Sequence, residues 1–364
     1  MLSCCLAMRV LDVQLKDPAT RAAELGVSRE AMDVYLASDV FDFHIDSFIW
    51  NRIFGYDLTE RHGHGLLGAR FYSQVDFPRI REAQITGACW VITTNPAKVA
   101  EERAQAFVAN VKRYLSIFET VSNDFAVVRN AREYRAARAA GKHGAFIGVQ
   151  GGNALDRDLD ALDLIPDNLI LRITLVHLSS SKIGVTSAPI GRKKERGLSK
   201  FGKDYVRRLN EKKIFVDLAH ISREGFFDAF EVHDKSQPLI ATHTGVSGVF
   251  PHWRNLDDEQ VKAIASTGGT IGVIFHGQFL DGHNFGGSLE SVVRHMEHVI
   301  KIAGDDHVSL GSDWDGAIST PRDMPTCLEL PKLADLMLKR GWKPESIQKA
   351  LGGNALRVIE SLRG

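Results

Sequence analysis

Leu169-Ile170-Leu171-Arg172-Ile173-Thr174-Leu175-Val176-His177 and Ile214-Phe215-Val216-Asp217-Leu218-Ala219-His220 are two short apolar, β-branched runs, each closing on a histidine, and a stretch of helical periodicity over 200–212 leads from one to the other. The same unit recurs along the chain. Comparable runs cover 40–46, 85–94, 144–150, 239–243, 270–276 and 307–313, and further helical stretches cover 97–121, 257–266 and 289–303. Alternating strands and helices predict parallel βαβ units. Eight of them predict a closed (β/α)8 TIM barrel rather than an open sheet.

No linker or low-complexity segment divides the chain, so residues 1–364 are expected to form a single domain. Two stretches read as long loops on the carboxyl face of the barrel, 50–76 after the first strand and 178–198 after the fourth. The tail near 328–362 reads as two or three closing helices.

Composition excludes several classes. Lys+Arg and Asp+Glu are both 45, which gives no basic surface for nucleic acid or an anionic membrane. Hydrophobic residues make up 44% and charged residues 25%, as in a globular protein. The short apolar start is interrupted by Arg9, and no run is long enough to span a membrane. Cys4, Cys5, Cys89 and Cys327 form no CxxC pair and no disulfide framework, so a reducing, cytoplasmic compartment is expected.

The chemistry gathers where the runs end: His44 and Asp46, Gln150, His177, His220, His243, His276 and Asp313. In a parallel barrel these ends open on one face and their side chains converge. Period-two geometry puts Asp42, His44 and Asp46 on one face, with Phe43 and Ile45 toward the helices. Imidazole with carboxylate suits zinc or a similar dication. The competing reading is a set of buried polar groups tying up the barrel rim. Asp313, in Gly311-Ser312-Asp313-Trp314-Asp315-Gly316, can accept a proton from metal-activated water or brace a ligand histidine, whereas Asp315 reads as structural. Gly63-His64-Gly65-Leu66-Leu67-Gly68 fits a dinucleotide glycine pattern but follows no strand, and His62 and His64 read as lid or solvent residues. His295 and His298 read as a helix surface, and the basic run 192–196 as solvated.

Several segments resemble the membrane dipeptidase (renal dipeptidase-like) family, in order and over nearly the whole chain. They are Asp42-Phe43-His44-Ile45-Asp46, Val75-Asp76-Phe77-Pro78-Arg79-Ile80 through Gly87-Ala88-Cys89-Trp90, 216–222, Thr242-His243 with Arg254-Asn255, 311–316, and Gly352-Gly353-Asn354-Ala355-Leu356-Arg357-Val358. The resemblance implies an amidohydrolase-type barrel with a two-metal site and a homodimer. It implies that His44 and Asp46 hold one ion and His220 and His243 the other, with Asp313 acting on the attacking water. His177 would polarise the scissile carbonyl, and Arg254 and Asn255 would bind the substrate carboxylate end. The expected substrates are dipeptides or related small amides.

One position departs from that family. Gln150, in Gly148-Val149-Gln150-Gly151-Gly152, stands where a glutamate bridges the two metals. A carboxylate ~2 Å from a dication contributes on the order of 10 kcal/mol of raw Coulomb energy even at a dielectric near 20, and an amide contributes none of it. One zinc ion rather than two is therefore expected, or none. Two alternatives stay open: a mononuclear hydrolase of another small amide or a lactone, and an impaired homologue that binds a ligand without turning it over.

Overall fold

The computed structural model describes residues 7–65, 68–191 and 197–364. Cys4, Cys5, the basic run 192–196 and residues 66–67 of the glycine pattern lie outside them. The strands are β1 Phe41–Ile45, β2 Gly87–Thr93, β3 Phe125–Val127, β4 His143–Gln150, β5 Ile170–Thr174, β6 Phe215–Asp217, β7 Ile240–Thr244, β8 Thr270–Val273 and β9 Val308–Leu310. Neighbours run β2-β1-β9-β8-β7-β6-β5-β4, and β4 pairs back onto β2, so eight parallel strands close into a barrel. These eight coincide with the eight expected runs. β3 was not expected: it has three residues, only Phe125 is buried, and it pairs with the first residues of β4 outside the ring. The helices Ala100–Thr120, Lys200–Glu211, Asp258–Ser266 and Leu289–Ala303 fill the periodic stretches. Asp257 and Gln260 form a reciprocal cap on the third of these.

The barrel interior is layered. Phe41, Phe43, Cys89, Phe146, Leu171 and Phe215 pack together with Tyr134, Ala355 and Val358 as an apolar lower layer. The helix Asn354–Arg363 forms the floor. Arg357 donates to Gly268 O, Arg363 to Ile170 O and Asn354 to Val308 O, all at the amino ends of strands. Gly352 lets this segment close on β1, since a Cβ there would lie 2.2 Å from Asp39 O. Ile45 packs into the outer core as expected, but Phe43 joins the interior layer. The β1–β2 register shifts between Asp42 and Ile45, which breaks strict alternation and turns Phe43 inward.

Buried neutral histidines make this fold sensitive to acid. Trp90 Nε1 donates to His143 Nε2 (3.1 Å), so the ring hydrogen sits on Nδ1 and is given to Ile85 O (2.8 Å). Burial holds the His143 pKa down at about 3, and burial holds His276 and His295 at about 4. Their unfolded pKa is near 6.5, so below that pH the unfolded chain binds protons that the folded chain does not. Stability is therefore full above about pH 6.5 and falls as the pH drops toward 4. Each histidine contributes a slope of up to about 1.4 kcal/mol per pH unit. Urea unfolding at a series of pH values should show this fall, and H143Q should reduce the slope by one proton. A flat profile between pH 6.5 and 4 contradicts the assignment.

Candidate metal centre

The side chains at the mouth are aimed by local departures from regular strand. His44 and His243 each sit inside a register shift, between Asp42 and Ile45 in β1 and between Ala241 and Thr244 in β7. His220 (φ +66°) and Asp313 (φ +63°) lie just beyond β6 and β9 in the left-handed region that non-glycine residues seldom adopt. The His220 carbonyl accepts from Ser187 N–H (2.7 Å) and Thr186 Oγ1 (3.2 Å), which anchors the turned backbone.

Ring nitrogens of His44 and His243 and a carboxylate oxygen of Asp313 all lie within 4.8 Å of one another. His44 Nε2 is 3.5 Å from Asp313 Oδ1, and the His44 and His243 ring centroids are 3.7 Å apart. His220 and His243, on adjacent strands, meet with their Nε2 atoms 2.8 Å apart. His177 packs edge-on against His220 at 4.6 Å, and its Nε2 accepts from the Gln150 amide at 2.7 Å. Asp46 is buried and its Oδ1 has no hydrogen-bond partner, but it does not join the three-residue group.

A polar layer underlies these groups. Asp217 accepts from Arg172 Nη1 (3.1 Å), Thr174 Oγ1 (2.5 Å), Thr242 N (3.0 Å) and Thr242 Oγ1 (2.7 Å). Thr242 gives its only hydroxyl hydrogen to Asp217, so its oxygen accepts from His243 Nδ1–H at 2.9 Å. His243 is thereby fixed with a lone pair on Nε2, aimed at His220. A carboxylate acting through a hydroxyl in this way orients a ligand imidazole from behind.

Electrostatics favour a cation here. Burial lowers the pKa of His44, His220 and His243 well below the ordinary range and that of His177 to about 3, so all four are neutral donors of lone pairs or N–H groups. Burial pushes Asp46 up to about 8. It pushes Asp313 well above the carboxylate range, with Asp46 adding to the effect and Arg254 opposing it. Asp46 Oδ1, Gln150 Oε1 and Asp313 Oδ1 are buried acceptors without partners. Two imidazole nitrogens on one tetrahedral ion lie about 3.3 Å apart, from bonds of about 2.05 Å. The 2.8 Å between His220 and His243 is close to that, so these residues fit a zinc-like ion on their side of the mouth.

Other expectations need correction. Asn255, expected at the substrate, has its amide committed within the fold: its Oδ1 accepts from Gly245 N, and its Nδ2 donates to Phe250 O (2.9 Å) and Phe279 O (2.7 Å), which ties down a loop. His295 is not on the surface; it is fully buried, accepting from Val246 N and bonded to Leu280 O. His276 is not part of the group of His44, His243 and Asp313 and accepts from Ser319 N. Arg254 is buried and donates Nη2 to His243 O at 2.5 Å, with Nε unpartnered. Asp315 is structural as expected, held by Ser47 Oγ and Gln74 N. Arg172, Asp217 and Thr242 are not among the expected site residues, yet they form the layer beneath it. A cavity of about 570 Å³ opens beside the cluster, lined by Ile49, Arg52, Ile53, Gln150, His177 and Leu178.

A closed parallel barrel with imidazoles and carboxylates meeting at the carboxyl ends of its strands defines a barrel of the metallohydrolase class. Residues 28–363 match the family model described as membrane dipeptidase (peptidase family M19), and the chain belongs to that family. A solved metallopeptidase of the same family, described as dipeptidase AC, is 28% identical with a TM-score of 0.80, covering 90% of this chain and 99% of that one. A metallopeptidase from Rhodobacter sphaeroides, solved with a phosphinate mimic of the dipeptide L-Ala-D-Ala, is 26% identical with a TM-score of 0.78, covering 89% and 99%. A Klebsiella pneumoniae protein described as an uncharacterized protein in the pqqA 5′ region is 36% identical over 169 residues. That match spans 46% of this chain and 61% of the relative.

Proposed function

We propose that the protein hydrolyses the amide bond of dipeptides, or of related small amides bearing a carboxylate, with water activated by a single zinc ion. The observation that carries this reading is the meeting of His220 and His243 at their Nε2 atoms, 2.8 Å apart, beside the buried Asp313. A cation held there polarises a carbonyl and lowers the pKa of water. His220 and His243 hold it, with the His243 lone pair presented by Thr242 and Asp217. Asp313 takes the proton from the attacking water. His177, neutral and lining the cavity, accepts from Gln150 at Nε2, so its ring hydrogen is on Nδ1, and that N–H donates to the carbonyl oxygen as charge develops on it. Arg254 offers its unpartnered Nε to the substrate carboxylate. The metallopeptidase solved with a dipeptide mimic supports this substrate class.

The proposal extends to a single catalytic domain acting as a cytoplasmic homodimer; Cys89 and Cys327 are free and buried. Among the described residues no helix is long and apolar enough to cross a membrane. Gln150 at the expected bridging position favours a second reading, a homologue that binds such ligands with little turnover.

The test is kcat/KM on a panel of dipeptides with L- or D-residues at the carboxyl end, with zinc supplied or chelated. Zinc-dependent hydrolysis is expected, and no hydrolysis of any member by zinc-loaded protein contradicts the proposal. Arg254→Met should lower kcat/KM about 100-fold, the equivalent of about 3 kcal/mol for a lost buried charge pair. It should leave carboxyl-amidated substrates nearly unaffected, and equal losses on both would remove Arg254 from the substrate site.

A further inference from the structure

An arginine buried inside a barrel needs a built environment, and Arg172 has one. β5 carries an extra residue opposite β4, since Ile147 pairs with Ile170 but Gly148 with Arg172. This turns the arginine into the interior. Gly148 leaves the space for it, because a Cβ there would lie 2.9 Å from Arg172 Nε. Nη1 donates to Thr174 Oγ1 (2.6 Å) and to Asp217 Oδ2 (3.1 Å), which balances the charge. Nη2 reaches His44 Nδ1 at 2.7 Å.

That last contact fixes the chemistry of His44. A guanidinium only donates, so His44 Nδ1 accepts. A neutral imidazole carries one ring hydrogen, which must then sit on Nε2, the nitrogen that faces Asp313 Oδ1 at 3.5 Å. An Nε2–H has no lone pair to give a cation. Gln150, at the end of β4, supplies an amide and no charge. The half of the mouth formed by His44, Asp46 and Gln150 thus lacks an imidazole lone pair and a bridging carboxylate together.

On the reading that this mouth binds a cation, we propose that Arg172 closes the ion position expected at His44 and Asp46. It sets the single ring hydrogen of His44 on Nε2, and the protein holds one cation, on the side of His220 and His243. Arg172 is a positioning residue that acts through His44. Loss of the bridging glutamate and the presence of Arg172 are then two independent barriers to a second ion, and restoring the glutamate alone does not reopen the position.

The experiment counts zinc per chain by elemental analysis after equilibration with zinc and removal of unbound metal, and reads histidine tautomers by ¹⁵N NMR in zinc-free protein. The wild-type protein should hold one ion, with His44 protonated on Nε2. Gln150→Glu should still hold one, Gln150→Glu with Arg172→Met should hold two, and Gln150→Glu with Arg172→Lys should hold one. Two ions in the wild-type protein or in Gln150→Glu alone overturn the inference while leaving the metal reading intact. If the arginine variants do not fold, the tautomer of wild-type His44 decides, and a hydrogen on Nδ1 overturns the inference. No zinc retained by the wild-type protein or any folded variant removes the metal reading and the inference with it.

Discussion

Replacing His243 by alanine is expected to abolish zinc retention and lower kcat/KM by about 10³-fold or more, equivalent to about 4 kcal/mol of transition-state stabilisation. His243 is the common member of the cluster: its Nε2 meets His220 Nε2 at 2.8 Å, and it shares the group with His44 and Asp313. Its tautomer is fixed by Thr242, which leaves the Nε2 lone pair free to hold an ion. Truncation leaves His220 to hold an ion with one imidazole and a carboxylate, too few strong ligands for a zinc site. Arg254 loses nothing directly, because it bonds the His243 main-chain carbonyl. Elemental analysis and steady-state kinetics on the variant check this together. An alanine variant that keeps its ion and its rate would remove His243 from the centre.

The second large effect concerns stability. Asp217→Leu is expected to destabilise the fold by about 3–5 kcal/mol, because it leaves the buried Arg172 guanidinium without a counter-charge. Arg172 and Asp217 are both fully buried and 3.1 Å apart. Asp217 also accepts from two threonines and from Ala219 N, so several donors lose their partner at once. Removing both charges, as in Asp217→Leu with Arg172→Met, should recover much of the loss, since an apolar pair avoids the uncompensated ion. Urea unfolding at neutral pH measures both. A single-variant loss under about 1 kcal/mol would mean that water or another group reaches Arg172, contrary to its burial.

The barrel was readable from the chain because each strand is a compact β-branched run between helical stretches, and because the runs end in groups with chemistry. β3 was hidden by its brevity and by burial of Phe125 alone. Period-two reasoning failed at Phe43 because a register shift cannot be seen in one strand without its neighbours. Arg172 did leave a signal: it is the charged residue in the otherwise apolar run 169–175 and shares a face with Thr174. Its meaning depends on His44, which lies 128 residues away in the chain. Pairing His44 with Asp46 and His220 with His243 was the expectation from resemblance. His220 and His243 do meet, at 2.8 Å, whereas His44 groups with His243 and Asp313 rather than with Asp46, a set from three strands that only closure of the barrel brings together. His295 reads as surface because its helical spacing with His298 suggests a polar face, whereas its partners come from elsewhere in the chain, Val246 from a loop and Leu280 from the short helix Gly277–Leu280.

Anomalous scattering from crystals equilibrated with zinc would locate the cation itself. A single peak about 2.0–2.1 Å from both His220 Nε2 and His243 Nε2, with Asp313 beside it, is the expected result. Density centred on His44 and Asp46, or no ordered ion near His220 and His243, would contradict it.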